Sequence, residues 1–135
     1  MTCARTARRL ATLAVLASLA ALASCASTGP VDLAGLTPAE VFRRAQTASD
    51  AGDFRRALEY YEGFLARPDI TAERAAWARY EAALLYHKMG NDDTALAKLD
   101  ELLALYETDT TLPEAPRILA ANVKSAILEK RAKKS

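Results

Sequence analysis

The chain has 135 residues, 51% of them hydrophobic and 26% charged, the size and balance of one globular domain rather than a disordered tail or a fibre. Two cysteines and one histidine are too few for most zinc sites, which take about four ligands at set spacings, and they leave little material for a cysteine–histidine nucleophile. The net charge of +1 hides an uneven distribution: residues 1–24 hold Arg5, Arg8 and Arg9 with no acid, residues 25–123 carry −6, and the last twelve residues carry +4. Alanine and leucine dominate, so helix is the expected secondary structure.

Residues 1–9 make a positively charged start, and Leu10 to Ala23 follow as fourteen residues of Ala, Leu, Val, Thr and Ser. Spanning about 30 Å of hydrocarbon takes about 20 residues, so this stretch is too short for a membrane helix and reads as a secretory signal. It ends Leu22-Ala23-Ser24-Cys25. These four residues resemble the lipobox of bacterial lipoproteins: an aliphatic residue, two small residues, then the cysteine that is lipidated and becomes the new N-terminus. The resemblance implies that residues 1–24 are a cleaved lipoprotein signal peptide and that Cys25 carries the anchor. The rival is an ordinary cut after Ala21-Leu22-Ala23, which would leave Cys25 as an odd thiol in an oxidising compartment. Two or more acyl chains hold a protein stably on a bilayer, so the mature chain is expected to be anchored and not to span. Ala26 stands where an aspartate would resemble an inner-membrane retention signal, which leans towards the outer membrane, on its periplasmic face. Small residues, Gly29-Pro30 and Gly35 make the rest of residues 25–36 a flexible tether in this reading.

Thr37-Pro38-Ala39-Glu40 opens the first helix, with Thr37 as cap, Pro38 in the first helical position and Glu40 completing the capping box. The helix should run to about Ala51 and stop at Gly52. Asp53 starts the second, with Phe54, Ala57, Leu58, Tyr61 and Leu65 at helical spacing, and Pro68 ends it. Thr71 caps the third, which runs to Gly90. Asn91 or Asp92 opens the fourth, carrying Ala95, Leu96, Leu99, Leu102, Leu103 and Tyr106. Residues 107–112 are loop. Pro113 and Pro116 fit only in or before a first turn, so the fifth helix starts there and carries Ile118, Leu119, Val123, Ile127 and Leu128.

Gly52-Asp53-Phe54-x-x-Ala57-Leu58-x-x-Tyr61 lines up with Gly90-Asn91-Asp92-x-x-Ala95-Leu96-x-x-Leu99, a shift of 38 residues. The glycine suits a left-handed helix end and the alanine allows close helix approach. The pattern resembles the tetratricopeptide repeat: the second copy keeps Ala82-Ala83, Tyr86, Gly90 and Ala95, and the first keeps Gly52, Phe54, Ala57, Tyr60-Tyr61 and nearly the terminal proline, at Pro68. It departs in three ways. The first helix has Val41, Ala45 and Ala48 where the family has aromatics, Asp92 replaces the aromatic after Gly90, and 38 exceeds the usual period of 34. Longer spacing is similar to that of periplasmic relatives, including the lipoprotein subunit of the outer-membrane β-barrel assembly machine and the periplasmic cell-division coordinator. The resemblance implies an all-α fold, a short solenoid over residues 37–132 with repeats at about 38–70 and 72–107 and a capping helix at about 114–132. A generic five-helix bundle is the alternative.

In tetratricopeptide folds the first helix of each pair lines a concave groove. Carried over, this places Phe42, Gln46 and Ser49 there from the first helix, Trp77, Tyr80, Leu84, His87 and Lys88 from the third, and Ile118, Asn122 and Ser125 from the fifth. Ala78, Ala82, Leu85 and Met89 form the stripe suited to packing, so Trp77 and Tyr80 are read as free to face a partner. Trp77 packing on a neighbouring helix is the bland alternative. His87, a lone histidine, reads as a hydrogen-bonding group. Asp92-Asp93 read as a helix cap and first turn; a calcium site would need more oxygen ligands in a defined loop. The basic C-terminus reads as a solvated helix end, with contact to anionic lipid as the rival.

The expected function is a lipid-anchored, non-enzymatic adaptor in the bacterial cell envelope, holding a protein or peptide partner, with outer-membrane assembly as the family analogy. A transporter-associated or small-ligand-binding oligomeric lipoprotein is the alternative. No cofactor, metal or nucleic acid is expected. Self-association through the first helix pair stays open.

Overall fold

The computed structural model describes residues 29–134. The signal peptide and Cys25 lie outside the described residues. Five helices follow one another, α1 Pro38–Asp50, α2 Phe54–Leu65, α3 Ala72–Lys88, α4 Asp92–Thr108 and α5 Glu114–Ala132, and no strand occurs among the described residues. The chain is all-α.

The helix ends follow from local chemistry. The Thr37 hydroxyl accepts from the Glu40 N–H at 3.3 Å, and the Glu40 carboxylate accepts from the Thr37 N–H at 2.8 Å, which closes the expected capping box. Thr71 caps α3 by accepting from the Arg74 N–H. The two glycine turns are built alike. Gly52 and Gly90 stand at φ +78° and +80°, a region costly for any residue with a Cβ. After each, an N–H reaches back five residues, Asp53 to the Ala48 carbonyl and Asn91 to the Tyr86 carbonyl, both at 2.9 Å. The same two residues then cap the next helix, Asp53 through the Arg56 N–H and Asn91 through the Thr94 N–H. Pro116 falls in the first turn of α5 and is buried.

Packing runs from neighbour to neighbour, α1 on α2, α2 on α3, α3 on α4 and α4 on α5, with α3 also touching α5. The core is two clusters with α3 as their shared wall. Ala78, Ala82 and Leu85 face Val41, Ala45, Ala57, Tyr61 and Phe64 of α1 and α2. Ala76, Tyr80 and Ala83 face Leu99 and Leu102 of α4 and Ala120 and Ile127 of α5. Alanines dominate both faces of α3, so helices can approach it closely from either side. The expected packing stripe holds for Ala78, Ala82 and Leu85, whereas Met89 at its end is exposed.

Cross-helix contacts fix directions. Arg131 pairs with Asp93 at 2.7 Å and Lys124 with Asp100 at 2.5 Å, while Tyr106 donates to the Pro113 carbonyl at 2.8 Å, so α4 and α5 run antiparallel. These pairs tie much of the basic C-terminal end to acids on α4.

The segment expected to be a free tether is in part packed. The Arg67 guanidinium donates to the Leu36 carbonyl at 2.8 Å and Arg56 donates to the Gly29 carbonyl, so two arginines of the α2 region hold residues 29–36 against it. Leu33 and Leu36 pack on the first cluster, and Leu33 fills the space left by Gly63. Leu33 and Leu36 are half-buried, while Ala34 and Gly35 between them are exposed.

Candidate partner-binding groove

The starts of α1 and α3 lie side by side. Pro38, Ala39 and Phe42 from α1 and Arg74, Trp77 and Glu81 from α3 enclose an open cavity of about 300 Å³. At the other end of the same two helices, the Lys88 ammonium donates to the Ser49 hydroxyl at 3.4 Å and stands 5.7 Å from the Phe54 ring. Contacts at both ends make α1 and α3 parallel, with the cavity between their first parts.

Phe42 is fixed from below. Its ring stands edge-on to Tyr61 at 5.2 Å and to Phe64 at 5.4 Å, so one side belongs to the first core and the other lines the cavity. Trp77 is half-buried and edge-on to Tyr80 at 6.3 Å. Glu81 lies one helical turn beyond Trp77 and Arg74 just under one turn before it, which puts all three on one stripe. Burial pushes the Glu81 carboxyl up from its ordinary range, and the Lys88 charge pulls only partly against this.

The expected groove residues divide. Phe42 and Trp77 meet at the cavity. Tyr80 does not face the groove as expected: it is 8% exposed and packs in the second cluster, because that face of α3 meets α4 and α5. Leu84 is half-buried against the same cluster. Gln46 is exposed, with its amide donating to Asp50 at 2.8 Å on its own helix. The His87 ring contacts the Asp92 carboxylate through Nδ1 at 2.6 Å, a pairing across the glycine turn. Hydrogen bonding to His87 holds the Asp92 carboxyl below its usual range. Asn122 belongs elsewhere: with Leu103, Tyr106, Arg117 and Ile118 it lines a second cavity of about 640 Å³ between α4 and α5.

Sequence reasoning missed Arg74 and Glu81. Their positions relative to Trp77 were a usable signal, since a side chain lining a groove shares it with its neighbours three and four residues away. The cavity thus offers two aromatic rings, a guanidinium and a half-buried carboxylate. It can bury an apolar or aromatic side chain and hold a polar group at its rim. Among the described residues no group of three or more His, Cys, Asp or Glu side chains is placed to hold a metal ion, and no helix is long and apolar enough to cross a membrane.

Comparison with protein-family models, curated proteins and solved structures gave no match.

Proposed function

We propose that this chain is a short tetratricopeptide-like solenoid, lipid-anchored through Cys25 on the periplasmic side of a bacterial envelope, that holds a protein or peptide partner. Support for the repeat reading is the pair of equivalent turns at Gly52-Asp53 and Gly90-Asn91 and the nearest-neighbour packing of the helices. The observation that carries the adaptor reading is the cavity between α1 and α3, where Phe42 and Trp77 present aromatic surface beside Glu81. Aromatic side chains in concave sites are the residues that dominate recognition of peptides and partner helices.

A photocrosslinking residue placed in turn at Phe42, Trp77 and Asn122, in cells of the source organism, tests this reading. An adduct with one envelope protein from the first two positions and none from Asn122 supports it. No adduct at either Phe42 or Trp77 ends it. The second reading, a small-ligand-binding oligomeric lipoprotein, draws on the larger α4–α5 cavity, whose volume of about 640 Å³ falls in the range of ligand sites. Native mass spectrometry showing a bound small molecule and a self-assembled species would favour it.

A further inference from the structure

We propose that the surface made by the C-terminal half of α1 and the start of α2 lies against an anionic membrane. This rests on the reading of Cys25 as the anchor. Three residues separate Cys25 from Gly29, so the lipidated residue stands within about 14 Å of Gly29 even when the chain is fully extended. Gly29 is held at the surface by Arg56, whose guanidinium donates to its carbonyl. The anchor therefore brings the surroundings of Arg56 to the bilayer before any other part of the body.

Those surroundings are basic. Arg43 and Arg44 from α1 and Arg56 from α2 line one shallow depression, Arg56 stands 5.7 Å from the Tyr60 ring at its edge, and exposed Arg55 extends the patch at the start of α2. The acids near the patch are Glu40, held in the Thr37 capping box and within electrostatic reach of Arg43 and Arg44; Asp53, committed to capping α2; and Glu59, paired with Arg56 at 3.2 Å. With four arginines and these three acids the patch carries +1 while residues 25–123 as a whole carry −6, which leaves −7 on the rest of that body. An anionic leaflet attracts the first and repels the second, so both signs favour one orientation. Each arginine near such a surface contributes about fivefold to the preference, over a Debye length of about 8 Å. Tyr60 has the amphipathic ring suited to the headgroup level. The basic C-terminus is the weaker candidate, since Lys124, Lys130 and Arg131 face Asp100, Asp92 and Asp93 on α4.

The test uses the mature lipidated protein in vesicles of phosphatidylcholine with or without phosphatidylglycerol, containing lipid with a quenching headgroup. A fluorophore is attached at Ala51→Cys, in the depression, or at Ala121→Cys, in the α4–α5 cavity. The expected result is stronger quenching at position 51 than at 121, dependent on phosphatidylglycerol and weakened on the order of a hundredfold in Arg43→Gln/Arg44→Gln/Arg55→Gln. Equal quenching at the two positions, or a preference that survives the three substitutions, overturns the proposal. Circular dichroism checks that the triple variant is folded. Intact mass read first separates the two ideas: absence of acyl mass at Cys25 ends the anchor reading. Unlipidated labelled protein added to the same vesicles then decides the face, since no quenching at position 51 overturns it.

Discussion

Gly63 of α2 leaves the space that Leu33 fills: a Cβ built on Gly63 would stand 2.6 Å from Leu33 Cδ1. The glycine is thus explained by what crosses the helix there, the stretch of chain leading in from the N-terminus. Two effects oppose each other in Gly63→Ala. Alanine favours the helix interior over glycine by about 1 kcal/mol. Its methyl also pushes on the far end of a leucine that can turn aside. The expected outcome is a melting temperature unchanged or raised, with faster hydrogen exchange confined to residues 31–36. Leu33→Ala should relieve the clash, so that Gly63→Ala in that background alters exchange no further. Slower exchange of this segment in Gly63→Ala would show that the contact is not formed.

Asp92 and Glu81 are expected to respond to pH in opposite directions. The hydrogen bond to His87 lowers the Asp92 pKa in the folded chain. Its contribution is present above the unfolded pKa and is lost as pH falls through the folded one. Asp92→Asn should therefore melt lower than wild type at neutral pH, and the gap should close in acid. Burial raises the Glu81 pKa. The folded form then holds its proton more tightly, so stability rises as pH falls through the raised pKa, and ionised Glu81 is a burden at neutral pH. Glu81→Gln should melt higher than wild type at neutral pH, with the advantage shrinking in acid. Melting curves of the three proteins across acid to neutral pH decide both; parallel curves would refute the two assignments together.

The helix plan was legible because each boundary rests on local chemistry. Thr37, Asp53, Thr71 and Asn91 cap the helices expected of them, and the glycines after α1 and α3 take positive φ. What the sequence could not give was the use of each face. Tyr80 and Trp77 are three residues apart, and periodicity put both on the exposed stripe. Which face of α3 is covered depends on α4 and α5 packing on its other side, a relation between helices distant in the chain. The same holds for Asn122, which α5 presents to the cavity shared with α4 and not to the cavity between α1 and α3. The tether reading weighed small residues and glycines in residues 26–36, but Leu33 and Leu36 needed Gly63, Arg67 and the first cluster to become visible as packing residues.

The paired turns make a direct comparison possible. Gly52→Ala and Gly90→Ala each force a Cβ into the left-handed region while nothing else lies within 4 Å of it. Strain is then the whole effect, and each substitution should destabilise by about 1–2 kcal/mol. Urea titration checks this. Because the hydrogen bonds around the two glycines match, the two losses should agree within about 0.5 kcal/mol and add in the double variant, as distant sites do. A Gly90→Ala chain as stable as wild type would mean that the turn does not hold the observed backbone.

The last expectation concerns whether the two clusters stand or fall together. Phe64 anchors the first and Leu99 the second, and both are 0% exposed. Phe64→Ala should remove about 3–5 kcal/mol and Leu99→Ala about 2–5 kcal/mol, transfer and cavity terms together. A domain of this size holds only about 5–15 kcal/mol in all, so either change consumes a large share. The question is where the loss is felt. In a solenoid each unit touches only its neighbours, and distant units can melt separately. Here α3 contributes buried residues to both clusters, Ala78, Ala82 and Leu85 to one and Ala76, Tyr80 and Ala83 to the other. Melting α1 and α2 would strip one side of α3, and melting α4 and α5 the other. A single helix with one face uncovered is marginal on its own. Both variants should therefore unfold in one cooperative step, with the wild-type dependence on urea and a lower midpoint. Trp77 fluorescence, from the start of α3, and helicity by circular dichroism should trace the same curve. A helicity curve that splits in Leu99→Ala, with α1–α3 persisting to higher urea, would show that the first cluster stands alone and that α4 and α5 are an addition to it.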